Sequence, residues 1–253
     1  IERTPGNISL KYTSKIEFRR NIFEQLGAVA IDLSGGCVQT RIDSNIFRDI
    51  SSAAVQIGGV SRNDARPAQE SWICLKNTVS NNQIYRTGQD YFDSAAIFVG
   101  FTQKTLITHN TIIDVPWSGI AIGWGWGLMD KGSFTGVPGS VSGQWGNFDT
   151  PTIMENNRIT YNDISVFLNM LWDGGSIYST GQQGPVSGSG LQLIGNVAHG
   201  KRLLGGGNTF YSDGGSRYVK LRANVSYDNP VGITYFGPSP NPLDPLPYPD
   251  VAI

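Results

Sequence analysis

The chain has 253 residues, with 19 Lys and Arg against 20 Asp and Glu, which gives a formal net charge of -1. This balance lacks the basic surface that nucleic-acid binding needs, and no apolar run approaches the ~20 residues of a membrane span. The 32 Gly and 13 Pro beside only 15% charged residues predict little helix, because exposed helix faces consume Glu and Lys. We therefore expect neither nucleic acid nor a membrane as a partner.

A unit of three short strands recurs along the chain. Each copy contains a short apolar strand, an Asn, a second short strand, a turn of small residues and a third strand. Strands this short are stable only when they stack. The pattern predicts an all-β protein, a right-handed parallel β-helix whose coils each add one strand to long parallel sheets. A β-sandwich or propeller would instead need regularly spaced hairpin turns.

Asn suits the repeated corner because it tolerates left-handed backbone angles and its amide can bond the Asn of the next coil. We expect such corners, on one edge of the solenoid, at Asn45, Asn82, Asn110, Asn162 and Asn196. The same alignment predicts an inward-facing aliphatic stack of Ile31, Val55, Ile97, Ile122, Ile177 and Ile233.

Two stretches interrupt the coils, near 60–72 and 129–152. Both are rich in Gly, Pro, Ser and polar residues, so they are interpreted as loops that leave the solenoid, and such insertions cluster on the functional face of repeat proteins. The β-helix domain is predicted over 1–237. The Pro-rich stretch 238–253 is predicted to be an extended C-terminal tail.

The sequence Asp-Gly-Gly-Ser occurs twice, beginning at Asp173 and at Asp213. Aligned as approaches to the third strand, both would lie at the same corner of successive coils, which stack ~4.8 Å apart. Two acids so close repel when both are ionised, which favours one proton donor beside one anion, as a glycosidase requires. One Asp-Gly alone is common in turns, so the catalytic hypothesis depends on the occurrence of two such motifs. We predict that Asp173 and Asp213 are catalytic and face each other across one groove, ~5 to ~9.5 Å apart.

Aromatic and polar residues near these motifs are candidates for substrate binding. In Gly-Trp-Gly-Trp-Gly, over 123–127, the two Trp side chains should point the same way, and exposed indoles stack on sugar rings. We expect Trp124 or Trp126 to face the groove that contains Asp173. The other predicted substrate-binding residues are Asp93, Trp172, Tyr178, Gln182 and Tyr211, with the Ser176 hydroxyl as a further candidate.

The sequence predicts neither a metal site nor a cofactor. Cys37 and Cys74 lack the spacing of metal ligands and are interpreted as two small buried residues, with a disulfide between them left open. His109 is interpreted as a half-buried turn residue. His199 has no carboxylate close to it in sequence.

Three segments carry a resemblance to a known family. They are 95–127, which ends in Ser-Gly-Ile-Ala-Ile-Gly-Trp-Gly-Trp-Gly, 157–184, which contains Trp-Asp-Gly-Gly-Ser-Ile-Tyr, and the later Tyr-Ser-Asp-Gly-Gly-Ser. Over about residues 20 to 235 the chain resembles the right-handed β-helix glycoside hydrolases, most closely glycoside hydrolase family 141. Enzymes of that family act on α-L-fucosides and on xylan. The resemblance implies two catalytic aspartates, Asp173 from its motif and Asp213 from the next acidic corner.

The resemblance also implies a secreted or periplasmic hydrolase that degrades a plant-type or other complex carbohydrate. Family members carry a long part before this region, so a missing N-terminal part or a second subunit is a candidate partner. Ser176 and Ser179 depart from the family pattern, which has small residues or Thr there.

Two other functions remain open. A polysaccharide lyase or epimerase on this fold would need Ca²⁺ or Arg and a basic residue, and Lys201, Arg202, Arg217 and Lys220 lie near the acidic motifs. A non-catalytic sugar-binding solenoid would keep exposed Trp residues without needing the two aspartates.

Overall fold

The computed structural model describes residues 3–133, 139–204, 206–229, 234–236 and 251–252. Within them the chain winds into a right-handed parallel β-helix, which confirms the predicted fold, and each coil adds one strand to each of three parallel sheets. No helix in these ranges is long and apolar enough to cross a membrane.

The three sheets differ in what they face, and the first carries the candidate site. Its strands, in spatial order, are β1 (Gly6–Lys11), β4 (Val29–Gly35), β7 (Val55–Ile57), β10 (Ile97–Val99), β13 (Ile120–Ile122), β16 (Gly175–Ser179), β19 (Asn208–Ser212) and β22 (Thr234–Phe236). The second sheet contains β2 (Glu17–Arg19), β5 (Arg41–Asp43), β8 (Thr78–Ser80), β11 (Leu106–Thr108), β14 (Arg158–Thr160), β17 (Leu191–Ile194), β20 (Val219–Arg222) and β23 (Val251–Ala252). The third contains β3 (Ile22–Glu24), β6 (Ile46–Ile50), β9 (Gln83–Thr87), β12 (Thr111–Ile113), β15 (Asp163–Ser165), β18 (Val197–His199) and β21 (Val225–Tyr227).

The corner between the second and third sheets is an asparagine ladder. Each side-chain amide donates to the side-chain oxygen of the Asn on the next coil, over 2.9 to 3.1 Å, from Asn21 through to Asn224. The same oxygens accept backbone N–H groups. These contacts confirm the predicted corners and hold successive coils in register.

Loss of one rung of this ladder is expected to destabilise the fold. Asn110 donates to Asn162 Oδ1 and Val79 O and accepts from the backbone and side chain of Asn82, and it is buried. Because each orphaned buried group costs about 1–3 kcal/mol, Asn110→Ala should lower the free energy of unfolding by about 3 kcal/mol in urea titrations. Asn63→Ala, at an exposed position, is the control. A loss no larger than that of the control would contradict the ladder's role.

The predicted aliphatic stack is present, with one change of row. Ile31, Val55, Ile97 and Ile177 share one buried row, but β13 supplies Ile120 to it rather than Ile122. Ile122 also points inward, in the next row, which runs through Leu33, Ile57 and Val99. The reason is the two-residue period of a strand, which gives Ile-Ala-Ile two inward positions. Ile233 lies outside the described residues.

Both predicted insertions lie between strands of the solenoid, 60–72 between β7 and β8 and 129–152 between β13 and β14. Residues 60–72 contain the helix α1 (Arg62–Ala65) and a 3₁₀ turn (Glu70–Trp72), and a second 3₁₀ turn covers Ser187–Ser189. The described parts of 129–152 contain neither helix nor strand. Most of the predicted tail, 238–253, lies outside the described residues, while Val251–Ala252 at its end pair in parallel with β20. Cys37 and Cys74 are buried free thiols.

Candidate functional site

A groove of ≈ 480 Å³ crosses the outer face of the first sheet. This is within the size range of small-ligand sites. Its floor consists of outward-facing residues that stack in register on consecutive strands, namely Gln56, Phe98, Ala121 and Tyr178. Because the strands are perpendicular to this row, the groove follows the axis of the solenoid.

Ala121, the smallest side chain of the floor, lies between the indole rings of Trp117 and Trp124. Trp117 approaches from the side before β13 and Trp124 from the side after it, and both line the groove. The Trp117 ring is 5.2 Å from that of Tyr178, and the Trp124 ring is 6.5 Å from that of Phe98. The result is a slot with a methyl floor and aromatic walls, a shape that suits the apolar face of a sugar ring.

Asp173 lies on the rim of the groove, just before β16. Its φ of 60° places it in the left-handed region, and its side chain is exposed. Asp173 Oδ1 accepts a hydrogen bond from the Tyr211 hydroxyl at 3.0 Å, and its carbonyl accepts from Trp117 Nε1 at 3.2 Å. The following Gly174 is required because a Cβ there would lie 2.4 Å from Trp117 Nε1.

Asp213 lies at the opposite side of the groove, just after β19. Its N–H donates to Ser179 O, and Ser216 N donates back to Asp213 O at 2.9 Å, which closes a tight turn. Asp213 Oδ2 accepts from Trp126 Nε1 at 3.1 Å and from the Tyr178 hydroxyl in a short hydrogen bond. Gly215 of the turn has a φ of 71°, and a Cβ there would lie 2.5 Å from Gly127 N, so the turn packs directly on the Trp126 loop.

The expectation that the two Asp-Gly-Gly-Ser motifs lie at the same corner is wrong. Ile177 pairs with Phe210, so Asp173, which precedes that position, and Asp213, which follows it, lie at opposite ends of neighbouring strands. The first motif enters its strand and the second leaves its strand. Both carboxylates nevertheless line the same groove.

Two tyrosines connect the separated carboxylates. Tyr178 and Tyr211 occupy equivalent positions on adjacent strands, and their ring centroids are 5.3 Å apart, edge to face. The Tyr178 hydroxyl reaches forward to Asp213 and the Tyr211 hydroxyl reaches back to Asp173. Burial, followed by the charge of Asp213, raises the pKa of Tyr178, so its hydroxyl stays a neutral donor.

The other predicted binding residues divide into two groups. Asp93, Trp124, Trp126, Trp172 and Tyr178 line the groove, and Trp172 is the most exposed of the three Trp residues at 66%. Three predicted residues do not line it, namely Tyr211, Gln182 and Ser176. Gln182 Nε2 donates to Gly184 O, and Ser176 points inward, where its buried hydroxyl donates to Thr209 O. The alternation of a strand explains Ser176, since its neighbours on β16 face the opposite way.

Sequence reasoning did not single out Trp117 as a site residue. Trp117 is in the Trp-Ser-Gly-Ile run before β13, but only the register with β16 shows that it lies over Gly174. The same register places Asp93 at the position equivalent to Asp173, two coils earlier.

The histidines lie away from the groove. His109 is exposed, not half buried, at a corner with φ 55°. His199 Nε2 is 3.3 Å from Asp163 Oδ1 on the neighbouring coil, a partner that is distant in sequence. Among the described residues no group of three or more His, Cys, Asp or Glu is arranged to hold a metal ion.

A buried carboxylate anchors the loop that carries the two Trp residues. Asp130 Oδ2 accepts the backbone N–H of Gln182 at 2.9 Å, and the Asp130 side chain is buried. Burial raises the pKa of Asp130 from 3.8 to about 7, while the Gln182 hydrogen bond and the charges of Arg66 and Arg217 lower it by less. Asp130 does not line the groove, so we assign it a positioning role.

Asp130 is expected to make stability depend on pH. Because its folded pKa is about 7 and its unfolded value 3.8, the native state holds an extra proton between these values, and stability falls as pH rises through that window. One proton gives a slope of about 1.4 kcal/mol per pH unit. Asp130→Asn keeps an acceptor but cannot titrate, so its urea-unfolding profile from pH 5 to 8 should be flatter than that of the parent. Asp149→Asn, exposed in the same insertion, should leave the slope unchanged, and parallel profiles for Asp130→Asn would contradict the assignment.

Comparison with known proteins gives a likeness of fold. No family model matches the sequence, and a search of curated proteins found no match. A solved structure described as a glycoside hydrolase matches with a TM-score of 0.70 and 22% identity, over 89% of this chain and 38% of that one. The chain therefore spans well under half the length of that structure, and at this identity the likeness shows the fold alone. The resemblance to family 141 stays a prediction.

Proposed function

We propose that this protein is a glycoside hydrolase with Asp173 and Asp213 as its catalytic pair. The observation that carries the proposal is one groove, lined by both carboxylates and by four indoles, on a β-helix like that of a solved glycoside hydrolase. Membership of family 141, an α-L-fucoside or xylan-type substrate, secretion and an additional N-terminal part or subunit belong to the same proposal.

The environments of the two carboxylates suggest different roles. Asp213 Oδ2 receives two donors, and an ionised carboxylate is acceptor-only, so Asp213 suits the base or nucleophile. Asp173 receives one side-chain donor, on Oδ1, which leaves Oδ2 available to carry a proton, so Asp173 suits the proton donor. In hydrolysis Asp173 would protonate the leaving oxygen as the glycosidic bond breaks. Asp213 would either take a proton from the attacking water or form the new bond to the anomeric carbon.

The charges of the groove favour hydrolysis over the lyase alternative. A lyase has to neutralise a substrate carboxylate with a cation. Among the described residues, the groove presents three carboxylates and one guanidinium, and that guanidinium, of Arg3, is already paired with Asp32 at 2.8 Å. A groove with this balance repels an anionic sugar.

The proposal is tested by a substrate screen. Aryl fucosides, xylosides, galactosides and arabinosides, together with xylan and polygalacturonate, are incubated with the protein, and released phenol, reducing ends and ultraviolet-absorbing unsaturated products are measured. Reducing ends or phenol without unsaturated products are expected, and the Asp173→Asn/Asp213→Asn double variant should release neither. Unsaturated products would indicate a lyase. Binding without any product, equal in the double variant, would indicate a non-catalytic binder.

A further inference from the structure

We infer that the groove contains, besides the proposed catalytic site, a distal subsite around Gln56. This subsite binds further sugar units of a neutral linear glycan. The inference rests on the proposed function and adds the substrate class. Its basis is the continuous row of outward residues that line the groove on the first sheet, from Gln56 on β7 to Tyr178 on β16.

The length of the row exceeds a single sugar. The lining residues Gln56, Phe98, Ala121 and Tyr178 lie on the adjacent strands β7, β10, β13 and β16, so this row spans three strand spacings, or ~14 Å. Asp213 and Tyr178 lie at one end and Gln56 near the other, and both ends line the same groove. A monosaccharide at the carboxylates would therefore leave the Gln56 end open for the rest of a chain.

The distal end is a preformed polar platform. Arg3 pairs with Asp32 through two contacts, and Gln56 Nε2 donates to Asp32 Oδ1 at 3.2 Å and to Thr4 O. Asp32 and Gln56 are 5% and 6% exposed, so their side chains are fixed before any ligand arrives. Gln56 Oε1 and the remaining N–H groups of Arg3 then provide an acceptor and donors for sugar hydroxyls without reorganisation on binding.

Hydroxyl groups and small residues continue the platform towards the indole slot. Ser52 and Ser94 lie on adjacent coils with their hydroxyl oxygens 2.8 Å apart, and both line the groove. Ala53 and Ala95 provide small walls beside them. This side of the groove is polar and shallow, whereas the slot over Ala121 is aromatic, so different units of one chain would meet different surfaces.

The charge of the groove selects the class of glycan. Asp93, Asp173 and Asp213 form no ion pair with other described residues, and Arg3 is neutralised by Asp32. With Asp173 protonated as the proposed acid, Asp93 and Asp213 still make the lining net negative. Uronic-acid or sulfated chains would meet like charge, whereas a neutral chain would not.

The test compares chain length and charge on the parent protein. Dissociation constants are measured by calorimetry for neutral oligosaccharides from xylan, mannan, glucan and galactan, from disaccharide to pentasaccharide, and for oligogalacturonates of equal length. Where a glycan is hydrolysed, kcat/KM replaces the dissociation constant. We expect affinity or kcat/KM to rise at least tenfold from disaccharide to tetrasaccharide for a neutral series, and oligogalacturonates to bind more weakly than every neutral series that binds.

The variant Gln56→Ala tests whether the rise in affinity or kcat/KM with chain length comes from the Gln56 end of the groove. It should lower kcat/KM for the tetrasaccharide at least tenfold more than for an aryl monosaccharide, while Gln83→Ala, exposed on the third sheet, should change neither ratio. Thermal unfolding checks that Gln56→Ala still folds, and if it does not, the length series of the parent protein decides alone.

Each outcome separates the two proposals. Hydrolysis of aryl glycosides with no gain from chain length, or tighter binding of oligogalacturonates, overturns the distal subsite and leaves the glycosidase standing. Neither binding nor hydrolysis of any neutral glycan overturns both.

Discussion

Asp213→Asn is expected to lower kcat/KM for the glycoside found in the screen by about 10³-fold or more. The variant keeps an oxygen that can accept from Trp126 Nε1 and the Tyr178 hydroxyl, so the geometry of the turn is preserved. It loses the anion that activates water or attacks the anomeric carbon, and that loss falls on the transition state. We therefore expect kcat to fall while KM changes little.

The pH dependence of kcat/KM gives an independent readout for Asp213. A base that must be ionised contributes the acidic limb of a bell-shaped profile, and its removal should abolish that limb. Asp228→Asn, at an exposed position just after β21, is the matched control and should retain parental kcat and both limbs. Parental turnover in Asp213→Asn would remove Asp213 from the mechanism.

Asp173→Asn is expected to lower kcat/KM by about 10²- to 10³-fold for a substrate with a poor leaving group. A proton donor assists departure of an alkoxide, but a strongly acidic phenol such as dinitrophenol leaves without protonation. The loss should therefore shrink to tenfold or less on a dinitrophenyl glycoside. This contrast distinguishes a proton donor from a residue that only shapes the rim.

Variants of Tyr211 and Asp93 test the role of Asp173 more closely. Tyr211→Phe removes the hydrogen bond to Asp173 Oδ1 and should have a smaller effect of the same leaving-group pattern, because Tyr211 positions the acid. Asp93→Asn, at the equivalent place two coils away, should mainly raise KM. An equal loss in Asp173→Asn on both leaving groups would show that Asp173 is not the proton donor.

The register of the first sheet explains why the sequence-based site was partly right. The two Asp-Gly-Gly-Ser motifs were predicted to lie at the same corner of successive coils. That prediction is wrong, but both carboxylates line the groove. In the first motif Gly174 makes room for Trp117, and in the second Gly215 lets the turn pack on the loop after Trp126. The same four-residue motif thus meets different packing requirements at its two positions, and a sequence alignment does not distinguish them.

The sequence by itself determined the solenoid, because its signals are local and repeat on every coil. An Asn at each corner can bond the Asn above and below it, so the repeated Asn45, Asn82 and Asn110 predict stacking without knowledge of the remaining chain. Short apolar strands then have one way to bury their side chains, against the neighbouring coils.

Only the tertiary structure decided the site, because its contacts join residues whose spacing in the sequence depends on insertions of irregular length. The pairing of Ile177 with Phe210 places Asp173 and Asp213 at opposite ends of neighbouring strands, and a one-residue shift of that register would turn Tyr178 inward. The hydrogen bond from Trp126 to Asp213 joins residues that are separated by 87 positions. Such contacts follow from where each coil closes, which is set by packing of the whole solenoid and not by any single motif.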